Sequence, residues 1–235
     1  MSKKLFYKSI RKVTGVGKHF LHEPFFDTKE VKLVSKHVKT SFVSSAGKAT
    51  SEFEKNICKF TKAKFCVATV SGTAALQISL ISSGVKPNDE VLVPSLTFVG
   101  TANAISHCGA IPHFIDSSIN NLGVDVKKLN QYLKKNFVKK NNLLFNKNTK
   151  RFVKAIIPVH IFGHSCSIEE INIIAKKNNL KVIEDAAEGM GSFHRGKHLG
   201  TFSSFGCLSF NGNKIITTGG GGAIITNSKK NYEIA

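Results

Sequence analysis

The sequence predicts an α/β protein, a mainly parallel sheet covered by helices, and three observations carry that expectation. Short apolar runs alternate with amphipathic helical patterns along most of the chain, as strands joined by helical crossovers require. Pro94, Pro158 and Asp185 close apolar runs. In an open α/β sheet the carboxyl ends of strands face the ligand crevice, so the residues that follow such runs are where chemistry is to be sought. With 235 residues, 41% of them hydrophobic, the chain can bury one sizeable core.

The elements follow in order. The start, MSKKLFYKSIRKV, is basic and lacks the apolar run of a secretory signal. No stretch approaches the roughly 18 consecutive apolar residues of a membrane span, and the expected location is cytoplasmic. FCVATV (65–70) reads as a strand, then Thr73 to Ser83 as a helix opening on S-G-T-A-A. EVLVP (90–94) is a second strand, followed by a helix through TFVGTANAISHCG and a strand at IPHFID (111–116). A helix near Val124 to Leu133 leads into a Lys/Asn-rich excursion. Strand VKAIIPV (153–159), helix SIEEINIIAKKN and strand KVIED (181–185) complete the regular alternation. After Gly191 the chain is rich in glycine among short apolar segments, as in hairpins or short strands closing a sheet. GAIIT (222–226) is the last strand, and NSKKNYEIA then begins a helix with nothing after it to cover it. That abrupt end implies a chain cut short.

A formal net charge of +19 raises nucleic acid, a membrane surface or a phosphorylated substrate as partner. The basic residues are spread along the chain, and the densest cluster, Lys134, Lys135, Lys139 and Lys140, sits in an Asn-rich stretch that reads as a solvated face. No zinc-finger spacing, aromatic-interleaved basic strip or helix-turn-helix pattern accompanies the charge. Neither nucleic acid nor membrane is therefore expected as partner. The five cysteines are odd in number and scattered, with no C-x-x-C pair. They read as reduced thiols, mostly buried, and no metal site is expected.

Four features bear on chemistry, and each has an ordinary reading beside the functional one. In S-G-T-A-A (71–75) a helix start with free N–H groups favours an anion, while Ser71 or Thr73 is also a normal N-cap. Glu184 and Asp185 leave the sheet at the end of KVIED, where Asp185 serves equally as a cap for the next helix. Lys214 sits in S-F-N-G-N-K before T-T-G-G-G-G, where backbone can approach a planar ligand closely, although a lone lysine is normally a surface charge. Phe98, just past a strand end, is a core residue or a ring wall. Together they match what pyridoxal 5′-phosphate needs: an anion site, a lysine amine, a carboxylate for the pyridine nitrogen and an aromatic wall.

The sequence resembles the DegT/DnrJ/EryC1/StrS family of sugar aminotransferases. The likeness runs from about His22 to Asn227 through LHEPFF, FVSSAGKATSEFE, SGTAALQISL, GVKPNDEVLVPSLTFVGTANAI, IPVHIFGH, IEDAAEGMGSFHRGKHLGTF and FGCLSFNGNKIITTGGGGAIITN. It implies the three-layer, mainly parallel sheet of the fold type I transferases. By the same resemblance Lys214 is the Schiff-base lysine, Asp185 pairs with the pyridine nitrogen, Thr73 and Ala74 bind the phosphate with Ser209, Phe98 stacks on the ring, and Glu188 contacts the phenolic oxygen. His160 would lie near the cofactor, or be a core histidine satisfied by backbone. The blocks around Asp185 and Lys214 look most like the branch that transaminates 4-keto-6-deoxy sugars on UDP or GDP for surface polysaccharides such as O-antigen, with glutamate as the usual donor. A homodimer with a shared active site is implied.

Family members continue into a smaller C-terminal domain. The expected organisation is thus an N-terminal arm (1–26) and a cofactor-binding large domain (27–235), with the small domain missing. Two other readings stand beside the aminotransferase. One is a catalytically incomplete fragment or a binding protein that keeps the fold without turnover. The other is a sugar dehydratase of the same fold, in which a histidine takes the lysine's place, so that Lys214 speaks against it.

Overall fold

A computed structural model of the chain describes residues 2–20, 22–41, 43–44 and 47–235. Within FVSSAGKATSEFE, Phe42, Ser45 and Ala46 lie outside the described residues, as does Leu21 of LHEPFF.

The sheet is built from β1 (Phe65–Thr69), β2 (Glu90–Pro94), β3 (Ile111–Ile115), β4 (Phe137–Lys140), β5 (Leu143–Asn146), β6 (Phe152–Ile156) and β7 (Lys181–Asp185). A two-residue hairpin, β8 (Phe193–His194) with β9 (Lys197–His198), precedes β10 (Phe205–Ser209) and β11 (Gly222–Thr226). The main path runs β1-β11-β10-β7-β6-β2-β3. β11 runs antiparallel to both neighbours, whereas β10 with β7, β7 with β6, β6 with β2 and β2 with β3 are parallel. The carboxyl ends of the parallel strands therefore gather along one edge.

Side-chain alternation sends successive residues of each strand to opposite faces. Val91, Val93 and Ile183 pack on one face with Leu76 and Leu80 of α4 (Gly72–Ser82) and Ala104 and Ile105 of α5 (Val99–His107). Leu92 and Val182 point the other way, to Leu129 and Leu133 of α6 (Val126–Asn136) and Ile168 and Ile171 of α7 (Ile168–Asn178). A third cluster joins Ile57 of α3 (Lys48–Thr61) to Leu208, Ala223 and Ile225. Helix, sheet and helix make the expected three layers.

Three expectations need correction. The apolar run from 153 ends as a strand at Ile156, because Pro158 has no N–H to give the ladder; Val159 rejoins only through a bridge to Asp185. The Lys/Asn-rich stretch is no loose excursion. β4 and β5 form a hairpin that pairs onto β6, burying Phe137, Leu144 and Phe145 while Lys134, Lys135, Lys139 and Lys140 stay exposed. The final helix, α8 (Lys229–Ile234), does find a partner: Tyr232 stacks on Phe65 at 4.9 Å and 18°.

Two further helices precede the sheet. α1 (Lys3–Thr14) lies in the expected N-terminal arm, and α2 (Thr28–Lys39) opens on a capping box of Asp27 and Glu30; neither buries a side chain. Cys66, Cys166 and Cys207 are buried and Cys58 and Cys108 half-buried, all as free thiols. Burial pushes the Cys58, Cys66, Cys108 and Cys207 thiols up, so they are poor nucleophiles at neutral pH.

Candidate active site

A cavity of about 620 Å³ opens along the carboxyl edge of the sheet, lined by residues that follow β1, β2, β6, β7 and β10. Seven of its wall residues are Thr73, Phe98, Thr101, Asp185, Glu188, Ser209 and Lys214. Parallel strands leave their last residues at one edge, and successive crossovers return the chain to it.

Asp185 is the last residue of β7 and is buried. Its Oδ2 accepts the Thr101 hydroxyl at 2.7 Å and its Oδ1 accepts the Ala187 N–H at 3.1 Å. The Thr101 hydroxyl also meets that of Thr97 at 2.7 Å. Burial pushes the Asp185 carboxyl above the usual aspartate value; the Thr101 and Ala187 hydrogen bonds, and then the charge of Lys214, pull it back without cancelling the effect. Both hydrogen-bond donors are neutral, so a buried carboxylate faces the cavity without a cation bonded to it among the described residues.

Lys214 follows β10, with its N–H bonded to Asn211 O at 2.9 Å. Its Nζ lies 3.4 Å from Glu188 Oε1 and 6.0 Å from the centre of the Phe98 ring. Glu188 turns its other oxygen to the Phe162 N–H, at 2.8 Å. Phe162 is held at φ 52, and both it and Phe98 expose 74% of their surface at the cavity.

The opposite wall is the start of α4. Ser71 is its N-cap, and the Ser71 hydroxyl accepts the Ala74 N–H at 3.1 Å. The structure shows the capping reading of Ser71, with Ala74's N–H committed to the cap and Thr73 facing the cavity. A Cβ on Gly72 would sit 2.8 Å from Ser209 Cβ, and one on Gly100 2.9 Å from Thr73 Oγ1. These contacts bring Ser209 and the first turns of α4 and α5 to one point, where two helix N-termini favour an anion. Phe98 is the N-cap residue of α5. The glycine run serves backbone contact as well as the cavity: Gly220 and Gly221 line it, while a Cβ on Gly222 would lie 2.4 Å from the Ser71 carbonyl carbon.

His160 lines the cavity, and its ring is held by the protein. Its Nε2 donates to Glu184 Oε2 at 3.0 Å and its Nδ1 accepts the Cys166 N–H at 3.3 Å. Glu184 also accepts the Gly200 and Phe202 N–H groups. Glu184 and Asp185 therefore divide labour by alternation along β7, one tying loops together inside the protein and the other facing the cavity.

Sequence reasoning missed Thr97, Thr101 and Phe162. The two threonines were findable as an i, i+4 pair straddling the start of a helix that follows a strand. Nothing local marks Phe162, whose place depends on Glu188 from another segment. Among the described residues no group of three or more His, Cys, Asp or Glu side chains could hold a metal ion, and no helix is long and apolar enough to cross a membrane.

Comparison with known proteins identifies the family and the fold. Residues 24–235 match the model of the DegT/DnrJ/EryC1/StrS aminotransferase family. The chain is 39% identical over 204 residues to GDP-perosamine synthase of Caulobacter vibrioides, covering 87% of this chain and 51% of that protein. It is 36% identical over 213 residues to the GDP-perosamine synthase of Escherichia coli O157:H7, covering 91% of this chain and 54% of the relative. An aminotransferase structure from Psychrobacter cryohalolentis superposes with a TM-score of 0.79 at 28% identity, over 90% of this chain and 50% of that one. The chain thus spans about half the length of the curated relatives it matches, and it belongs to the DegT/DnrJ/EryC1/StrS aminotransferase family.

Proposed function

We propose that these residues are the cofactor-binding portion of an aminotransferase that places an amino group, taken from an amino acid such as glutamate, on a nucleotide-linked 4-keto-6-deoxy sugar. Pyridoxal phosphate is the cofactor of the family. The observation that carries the reading is Asp185, a buried carboxylate held above its usual range and turned to the same cavity as the Lys214 amine. A cationic ring N–H is what such a carboxylate lacks.

The other residues fit the same group. The first turns of α4 and α5, with Thr73 and Ser209, suit a phosphate dianion; Ala74 would contribute only by sharing the N–H that Ser71 holds. Phe98 offers an exposed ring face 6.0 Å from Lys214 Nζ. Asp185 would keep a proton on the ring nitrogen, and Lys214 would be the attachment residue and carry a proton at Nζ to and from the substrate carbon. Glu188 Oε1 would orient that amine and meet the phenolic oxygen. When bound, pyridoxal phosphate supplies an electron-accepting ring for the carbon that loses its proton.

Similarity to two GDP-perosamine synthases supports a nucleotide-sugar substrate. We further take residues 27–235 as the large domain, residues 1–26 as an arm, and a homodimer sharing its sites as the working assembly. Borohydride reduction of the cofactor-loaded protein followed by peptide mapping tests the site: label on Lys214 is expected, and label on another lysine would overturn the assignment. A panel of keto-sugar nucleotides with glutamate tests the substrate. Turnover of keto acids alone would refute the sugar reading.

A further inference from the structure

Helix α1 (Lys3–Thr14) precedes the residues that match the family, which begin at 24. Its twelve residues include Lys3, Lys4, Lys8, Arg11 and Lys12 and no acidic side chain. Helical spacing sorts them into two faces. Phe6, Ile10 and Val13 fall at i, i+4 and i+7, with Tyr7 at the margin, while Lys4, Lys8, Arg11 and Lys12 take the opposite side; Lys3 falls beside Ile10 at the start of the helix, and Leu5 on the basic side. None of its side chains is buried; Phe6 and Ile10 remain 47% and 42% exposed and Val13 88%. Ser2 caps the helix, and Arg11 and Lys12 occupy its last turn, where a cation is favourable. The helix is therefore well specified locally, yet it packs no apolar face on the sheet.

We propose that α1 is an interfacial helix that seats the protein on an anionic phospholipid surface. Phe6, Ile10 and Val13 enter the boundary between headgroups and acyl chains, Tyr7 lies at headgroup level, and the basic face meets anionic headgroups. The charge and the apolar stripe together select this occupant. A nucleic acid would use the lysines but leave the stripe in water, and a second copy packed stripe to stripe would leave both basic faces without an anionic partner. Lying on a surface needs neither the length nor the continuous hydrophobicity of a span, so this role sits with the absence of a spanning helix among the described residues.

The test uses the 235-residue chain and vesicles of phosphatidylcholine with or without phosphatidylglycerol. Co-sedimentation with the anionic vesicles is expected, with little on pure phosphatidylcholine and a marked loss in 1 M salt, where screening falls to about 3 Å. Lys4→Glu with Lys8→Glu should weaken partitioning by at least ~25-fold, at about fivefold per charge removed. Phe6→Ser with Ile10→Ser should abolish it while leaving far-UV and near-UV circular dichroism of the sheet domain unchanged. Because the chain contains no tryptophan, Phe6→Trp reports on α1 alone, and its emission should shift to the blue on adding anionic vesicles. Equal sedimentation of parent and variants, or an unshifted Trp signal, would overturn the proposal. So would a dimer that dissolves in the Phe6→Ser, Ile10→Ser variant, or retention of an RNA oligonucleotide by a protein that ignores vesicles.

Discussion

The two sides of the cavity are built differently. Asp185 stands at the end of an interior strand, with a parallel neighbour on each side, and its partner residue Glu184 locks the His160 and Gly200–Phe202 segments behind it. Lys214 stands in a twelve-residue connection between β10 and β11, residues 210–221, all of which except Phe210 are exposed or half-exposed. That connection is closed by a few bonds to Phe210, from Thr217 Oγ1, the Thr218 N–H and, reversed, to Gly221 O. One side is set by the core before any ligand arrives; the other carries the Lys214 amine on a segment whose loss of contacts costs the fold little. Binding and stability should therefore respond to changes beside Asp185, and chemistry to changes beside Lys214.

The largest separation of these effects is expected from Lys214→Ala, which should abolish amino transfer in the assembled enzyme. Its thermal midpoint without cofactor should stay within about 2 °C of the parent, as for a substitution outside the core. A large fall in melting temperature would show that the lysine side is structural after all.

Asp185→Asn should behave in the reverse manner. Loss of a buried charge pairing worth roughly 3 kcal/mol predicts cofactor binding about a hundredfold weaker, measured by absorbance titration. Without cofactor the variant should melt higher, by about 2–4 °C for each kcal/mol of relieved desolvation. The site can accept the amide: Ala187 keeps its acceptor, and the Thr101 hydroxyl can turn to accept from the new amide while donating to Thr97. The pH dependence has a definite sign. Because the folded carboxyl titrates above its unfolded value, its cost is fully present above the folded pKa, shrinks as pH falls through it, and vanishes below the unfolded value. The advantage of Asp185→Asn should thus be widest near neutrality and close on acidification.

Thr101→Val removes the hydroxyl that Asp185 Oδ2 accepts. A loss of ~1–2 kcal/mol in urea denaturation is expected, together with weaker cofactor retention. Glu188→Gln should have the smallest effect, since an amide oxygen can still accept the Phe162 N–H. Stability should be unchanged within about 0.5 kcal/mol and turnover reduced less than by the other three changes. Glu188→Ala, which releases Phe162 from its positive φ, should by contrast be measurably less stable.

Legibility of the sequence follows the same division. KVIED gave its strand to the residue, because an apolar run ending in charge leaves no choice of register, and FCVATV, EVLVP and GAIIT were nearly as plain. Asp185 and Lys214 stood out by their places at a strand end and among small residues, and the resemblance gave them their roles and alone named Ser209. Thr101 escaped because its value lies in reaching a carboxylate that is 84 residues away in the chain. Phe162 escaped because a left-handed phenylalanine is tolerated only where another segment supports it. His160 combines its two readings, lining the cavity while its ring nitrogens are satisfied by Glu184 and the Cys166 N–H. The hairpin at β4 and β5 was hidden by its lysines and by the lack of alternation in β5, where the consecutive Leu144, Phe145 and Asn146 are all buried.

The antiparallel β11 sets the order in which this site can come into being. It lies between β1 and β10, and a contact at that seam, Lys64 to Asn227, spans 163 residues. At roughly 5–20 residues per second on the ribosome, β1 waits about 8–30 s before the strand that must pair with it is synthesised. Until then its edge is open, and the start of α4 that follows it has no Gly222 to pack on. A nascent chain at this stage is an apolar edge in search of a neighbour, and chaperone dependence during translation should concentrate in that interval.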